Sequence, residues 1–266
     1  MKYTEITNKN QVAEKDLISL KKEYIAIVSH KLLSPLTIIK WNLELIKGGN
    51  KDCTEFKDNF DAIDMNIKKL ETYSDVLMKV AEAQDLLVDE DKIELSKDKF
   101  VVDFNNILQT VKKKYKEDID TKSLKFDINC QLKKYVVNYK KDYILEIIDS
   151  IIKNAVDYSN ERTKINVECF KFDEKKKSEF ELDKNSEFVG VEIENIGLEI
   201  KRDEIGLIGE SFFRGDFAKK SGLKGYGLSL YLAKILIENI NGKLFFKSEN
   251  GITKFVAVFF VKNVYN

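Results

Sequence analysis

Residues 24–46 read YIAIVSHKLLSPLTIIKWNLELI, and they hold the only histidine and the only proline of the 266-residue chain, His30 and Pro35. Apolar residues Ile25, Val28, Leu32, Leu36, Ile39, Leu43 and Ile46 recur every three or four positions. At about 100° per residue they form one stripe of a helix. His30 lies roughly opposite that stripe, so the spacing predicts a solvent-facing imidazole, well suited to nucleophilic and proton chemistry near neutral pH. Pro35 cannot donate a helical hydrogen bond back to Lys31, and its ring crowds that carbonyl at a cost of about 3 kcal/mol. The expectation is a bend beside the histidine. A lone exposed histidine is ordinarily a surface residue and a lone proline a tolerated kink, so neither assigns a function by itself.

Downstream, Gly48-Gly49-Asn50 ends this helix. A second pattern follows in which Phe56, Phe60, Ile63, Ile67, Leu70 and Leu77 keep heptad-like spacing, with Ser74 in the missing place. Two amphipathic helices joined by a short turn predict an antiparallel hairpin. A hairpin alone cannot bury both stripes, so dimerisation into a four-helix bundle is expected.

Glycine divides the chain. Gly48 and Gly49 are the only two among residues 1–189, whereas the other ten lie between 190 and 251. The later half therefore carries a glycine-rich loop. Lys+Arg and Asp+Glu both number 45, and this zero net charge argues against nucleic acid as the main partner. Cys53, Cys130 and Cys169 form no CxxC pair, and one histidine makes a zinc site untenable, so reduced thiols are expected. Apolar runs such as FVAVFFV at 255–261 are too short to span a bilayer, and MKYTEITNKNQ lacks the features of a signal peptide. The expected location is cytoplasmic.

Residues 93–139 read as a strand near IEL, a helix near VDFNNILQTVKKKY, and strands near LKFDIN and KYVVN. A helix is predicted at about 141–158, with Ile144, Ile147, Ile148, Ile151, Ile152 and Val156 on one broad face. Two alternating strands, KINVECFKF and EFVGVEIEN, follow, joined by a lysine-rich polar hairpin. A helix at 225–240 and a final two-stranded hairpin complete a mixed sheet with helices on one face, an α+β sandwich.

The first helix resembles the phospho-acceptor helix of sensor histidine kinases, whose pattern is Ser-His-Glu-Leu-Arg-Thr-Pro-Leu. Ser29, His30, Leu32, Pro35 and Leu36 match, and Ser34 replaces threonine. The second half resembles the Bergerat-fold ATP-binding domain of the same kinases in four motifs. IIKNAVDYS resembles the asparagine box, which implies Mg²⁺ coordination by Asn154 and an aromatic, Tyr158, beside the nucleotide. VEIENIGLEI resembles the first glycine box through Gly197 and Ile200, with Asn195 where the family has the adenine-binding aspartate. IGESFFRGD resembles the phenylalanine box, implying that Phe212 packs the lid and Arg214 reaches the phosphates, with Gly209 in place of the first phenylalanine. SGLKGYGLSLYLAKILIE resembles the second glycine box through Gly225, Gly227, Leu228 and Leu230. Glycines and a helix N-terminus there suit a polyphosphate.

The resemblance implies a short lead-in helix or linker at 1–20, a dimerisation and histidine phosphotransfer hairpin at 21–86, a linker at 87–94 and an ATP-binding catalytic domain at 95–262. It implies an ATP- and Mg²⁺-dependent protein histidine kinase acting as a homodimer. Such a kinase phosphorylates its own histidine and passes the group to a response-regulator receiver domain, and its input comes from a partner sensor or from sequence outside this chain. Ser34 keeps a hydroxyl that can position water for dephosphorylation. Lys220 and Lys224 are further cations in the lid. The departures are Lys31 and Leu33 for the family's acid and arginine, Ser150 for an asparagine, Asp157 for a lysine, Glu199 for a glycine and Ser229 for the last glycine. They make a second reading worth testing, a degenerate kinase serving as a phosphotransfer or docking module. A Bergerat-fold ATPase of the gyrase or MutL type lacks the histidine hairpin.

Overall fold

The computed structural model of the chain describes residues 3–6, 32–47, 53–88, 99–132, 134–137, 139–216, 227–261 and 263–264. The chain forms two compact units, one of residues 8–79 and one of residues 1–7 together with 80–266.

In the first unit, helix α1 covers residues 32–47 and α2 covers Cys53–Val88, running on into the second unit. Pairs one turn apart support these helices, as in Lys68–Asp64 at 2.7 Å. The heptad positions Asn59, Asn66 and Tyr73 are buried, as is Asn42 of α1. Two of the asparagine amides are satisfied within their own helices, Asn42 donating to the Ile38 carbonyl and Asn66 to that of Ala62, whereas the Asn59 amide nitrogen has no partner among the described residues. By contrast Leu36, Trp41, Leu43, Phe60 and Ile67 are exposed, Trp41 at 64% and Phe60 at 56%. The apolar stripes read from the sequence are thus left open in the single chain. Pro35 is buried within α1, and the bend expected before it falls, like His30 and Ser29, outside the described residues.

The second unit is built on a six-stranded sheet. Its strands are β1 (Thr4–Glu5), β3 (Lys125–Cys130), β5 (Lys164–Lys171), β6 (Glu187–Ile196), β7 (Lys243–Glu249) and β8 (Ile252–Val261), in the order β1-β7-β8-β6-β5-β3. All neighbours are antiparallel except β3 and β5. A smaller sheet joins β2 (Phe100–Val102), β4 (Tyr135–Val137) and β9 (Asn263–Val264). Helices α3 (Phe104–Lys114), α5 (Lys141–Tyr158) and α7 (Ser229–Asn239) pack on one face of the large sheet, while α4 (Lys116–Thr121) follows α3. Strand alternation explains the core. Val167, Val191, Ile193, Ala257 and Leu244 point to the helix side of the sheet and, like the isoleucines of α5, are fully buried. The α+β architecture is the one anticipated.

Four details differ from expectation. The lysine-rich connection is not a bare hairpin: Asp173 caps a short helix, α6 (Glu174–Glu179), by accepting from the Lys176 amide at 2.7 Å. That segment covers part of the sheet's other face, where Phe172, Phe180, Leu182, Phe188 and Phe245 form a second apolar cluster, so helices do not lie on one face alone. Cys130 and Cys169 are not separate thiols but a disulfide, because parallel pairing of β3 with β5 sets them in register with Cα atoms 4.7 Å apart. Within the stretch expected as a lead-in helix or linker, Thr4–Glu5 is a strand on the edge of β7. The strand expected near IEL lies outside the described residues.

Candidate nucleotide site

Helix α5 delivers Asn154 and Tyr158, one turn apart on the same face and both half-buried. Its C-terminal end is gathered by Lys122, whose ammonium donates to the carbonyls of Val156 at 2.8 Å, Asp157 at 2.6 Å and Ser159 at 3.3 Å. A cation at this end complements the orphan carbonyls and the helix dipole. Burial lowers the Lys122 pKa from its ordinary value, and the nearby carboxylates of Asp157, Asp118 and Glu161 only partly offset that. Asp157 itself pairs with Lys153 one turn earlier at 2.5 Å, so a lysine stands beside the position where the resemblance expects one.

Gly197 meets this helix end directly. It bridges to Ser159, the Leu198 amide donates to the Tyr158 carbonyl at 3.3 Å, and the Gly197 amide donates to Gly251 at 2.8 Å. A Cβ at 197 would collide with the Tyr158 carbonyl oxygen, so the close approach requires glycine.

On β6, Asn195 is 3% exposed and turned to the helix side of the sheet, directly opposite Thr253. Thr253 shares a hydrogen bond of 2.9 Å with Ser248, which accepts the Ile200 amide at 3.2 Å. A buried polar row of Ser248, Thr253 and Asn195 therefore floors this end of the sheet. The sequence reading missed Ser248 and Thr253, although both are hydroxyls at inward-facing positions of apolar strands.

The phenylalanine box and the second glycine box meet. The Phe212 amide donates to the Gly227 carbonyl at 2.9 Å, and both residues have left-handed backbones, with φ of 61° and 71°. A Cβ at Gly227 would strike the Phe213 carbonyl oxygen. Leu228 is buried and stands at the N-cap of α7, where no side chain caps the first turn among the described residues. Arg214 is half-buried in the same segment, which Glu204 organises by accepting the Asp216 amide at 2.7 Å. Lys234 of α7, fully buried, pairs with Glu210 at 3.0 Å. Ser34 is exposed on α1; Gly225, Lys220 and Lys224 lie outside the described residues.

Nearby glycines, a helix N-terminus and a buried polar floor suit a purine nucleotide with its polyphosphate tail. Among the described residues no three His, Cys, Asp or Glu side chains cluster to hold a metal by themselves. One amide oxygen from Asn154 fits Mg²⁺, which takes few protein ligands and is completed by phosphates and waters.

Residues 139–263 match the family of histidine kinase-, DNA gyrase B-, and HSP90-like ATPases. Over 247 residues, 92% of the chain, the sequence is 26% identical to sensor protein SrrB of Staphylococcus aureus strain N315. That stretch spans only 39% of the relative's length. The fold is like that of histidine kinase AdeS of Acinetobacter baumannii, with a TM-score of 0.63 and 16% identity over 88% of this chain and 98% of that one. It is also like histidine kinase ThkA, solved in complex with response regulator protein TrrA, with a TM-score of 0.65 and 16% identity over 98% and 74%. The chain is a homologue of sensor histidine kinases with a Bergerat-type ATPase domain. Among the described residues no helix is long and apolar enough to cross a membrane.

Proposed function

We propose that this chain is an ATP-dependent protein histidine kinase core that phosphorylates His30 and passes the phosphoryl group to a response-regulator aspartate in two-component signalling. The observation that carries the reading is the junction of Phe212 with Gly227 beside the N-terminus of α7, in a chain that also has His30 on the phospho-acceptor motif. Asn195 accepts a hydrogen bond from the adenine amino group, more weakly than the charged aspartate it replaces. Tyr158 lies along the base. The glycines at 225 and 227, with Leu228 opening α7, bring backbone amides to the phosphates, and Arg214 adds positive charge. Asn154 holds Mg²⁺, which when bound neutralises phosphate charge. The imidazole of His30 accepts the γ-phosphoryl group while ADP leaves; such transfer depends chiefly on positioning and charge neutralisation. Lys31, next to the histidine, cannot accept its proton while charged, so transfer is slower than with an acid there. Ser34 positions the water for dephosphorylation.

The exposed Leu36, Trp41, Leu43, Phe60 and Ile67 support a homodimer through the helical hairpin, completing a four-helix bundle. The receiver domain is the second partner, a sensor protein or further sequence provides the input, and the location is cytoplasmic. Incubation with Mg²⁺ and γ-labelled ATP should yield acid-labile phosphate that is absent from His30→Gln and chases onto a receiver domain. Absence of both labelling and nucleotide binding would refute the kinase; label gained only from a phosphorylated partner would establish a relay instead.

A further inference from the structure

We propose that Ile6 is a positioning residue for the nucleotide site: docked on β7 as part of an edge strand, it packs against Gly209 and sets the loop that carries Phe212. The inference rests on the reading of that loop as part of an ATP site.

The segment Tyr3–Ile6 is held along its whole length. Thr4 and Glu5 pair with Phe246 and Phe245, and the Ile6 amide donates to the Leu244 carbonyl at 2.8 Å. Alternation sends its side chains to opposite faces of the sheet. On the outer face Tyr3 packs against Phe180, ring centroids 4.9 Å apart, and donates its hydroxyl to Glu192 at 2.7 Å. Glu5 pairs with Lys243 at 3.1 Å. On the helix face Ile6 is 5% exposed.

Ile6 reaches the loop at one point. A Cβ on Gly209 would lie 2.5 Å from Ile6 Cγ2, closer than any real contact, and 3.6 Å from Lys234 Cδ. Only a hydrogen at 209 admits the isoleucine, and the φ of 84° there independently favours glycine. The very next residue, Glu210, forms the ion pair with fully buried Lys234. The Glu210 carbonyl accepts the Phe213 amide at 3.2 Å, and the Phe212 amide reaches Gly227. A path of three steps thus runs from Ile6 through Gly209 and the Glu210–Lys234 pair to the Phe212–Gly227 junction. Withdrawing Ile6 leaves a void against Gly209, and close packing there does not deform smoothly. The occupant of the β7 edge is this chain's own segment, so anything that pulls residues 3–6 away loosens the nucleotide site.

The test uses the full chain with Ile6→Asp, which undocks the strand, and Ile6→Val, which keeps it. Binding of a fluorescent ATP analogue with Mg²⁺, phosphorylation at saturating ATP, and amide exchange at 209–213 and 243–249 are compared. Ile6→Asp should weaken analogue binding at least about fivefold, with phosphorylation at saturating ATP within about twofold and Ile6→Val close to wild type. Exchange should quicken at both 243–249 and 209–213. Exchange that quickens at 243–249 while analogue binding and exchange at 209–213 stay unchanged overturns the proposal. If Ile6→Asp fails to fold, Ile6→Ala is judged by the same outcomes. If wild type binds no analogue, the ATP-site reading fails instead, and unchanged exchange at 209–213 in the undocked variant then decides against Ile6.

Discussion

Lys122→Met removes the cation that closes the end of α5. Its ammonium makes two short bonds and one longer bond to the carbonyls of Val156, Asp157 and Ser159. Two charge-assisted bonds contribute about 3–6 kcal/mol and the helix-end dipole up to about 1 kcal/mol. Desolvation of the ammonium opposes this, and solvent at the half-exposed side chain screens the charge, leaving a net loss of about 2 kcal/mol in the methionine variant. For a unit of this size that corresponds to a fall of about 4–8 °C in melting temperature, read by calorimetry at pH 7. Lys122→Arg should recover much of it. Because Tyr158 and Gly197 are set against the same helix end, nucleotide affinity should fall as well. The pH dependence has a definite sign. A lysine whose folded pKa lies below 10.5 leaves the unfolded chain holding more protons in that interval, so its contribution to stability rises with pH towards 10.5 and is least below the folded pKa. Equal melting temperatures for Lys122→Met and wild type, or a wild-type margin that shrinks on going from neutral pH towards 10.5, would refute the reasoning.

Gly197→Ala should cost about 2–3 kcal/mol and abolish tight nucleotide binding, because its Cβ must displace the Tyr158 carbonyl; unchanged affinity in a nucleotide titration would count against the site. Reducing Cys130–Cys169, or replacing Cys169 with serine, should lower the unfolding free energy by about 2–4 kcal/mol, given the 39-residue separation it closes. Urea midpoints that coincide with and without reductant, when thiol counting confirms oxidation in the untreated sample, would be the contrary result. Burial alone would raise the Glu194 carboxyl, but Lys254 at 2.7 Å and the Asn166 amide at 3.0 Å outweigh it and hold it below the ordinary 4.5. Its contribution is therefore complete above about pH 4.5 and lost as the pH falls through the folded value, so wild type and Glu194→Gln should converge in stability in acid; a constant difference in acid titrations of unfolding would contradict this.

Much of the fold is legible because it depends on short-range periodicity. The isoleucines of 141–158 place α5 on the sheet, and alternation in 187–196 orients β6 so that Asn195 faces inward. Glycines at 197 and 227 mark close approaches before the neighbours are known. Ser248 and Thr253 were harder to see, since a hydroxyl on an inward-facing strand position gains meaning only when its partner strand is identified.

By itself the sequence determined the helical segments of α1 and α2, the α+β order and the glycines at 197 and 227, and for His30 it predicts an imidazole opposite the apolar stripe. Each follows from residues within a few turns or strand positions of one another. Only the tertiary structure decided that Cys130 faces Cys169, that Lys122 closes α5, that Asn195 stands opposite Thr253, and that Ile6 fills the space against Gly209. Those pairs join segments remote in the chain, and their contact depends on which strands lie side by side and in what register, something no local pattern of side chains encodes.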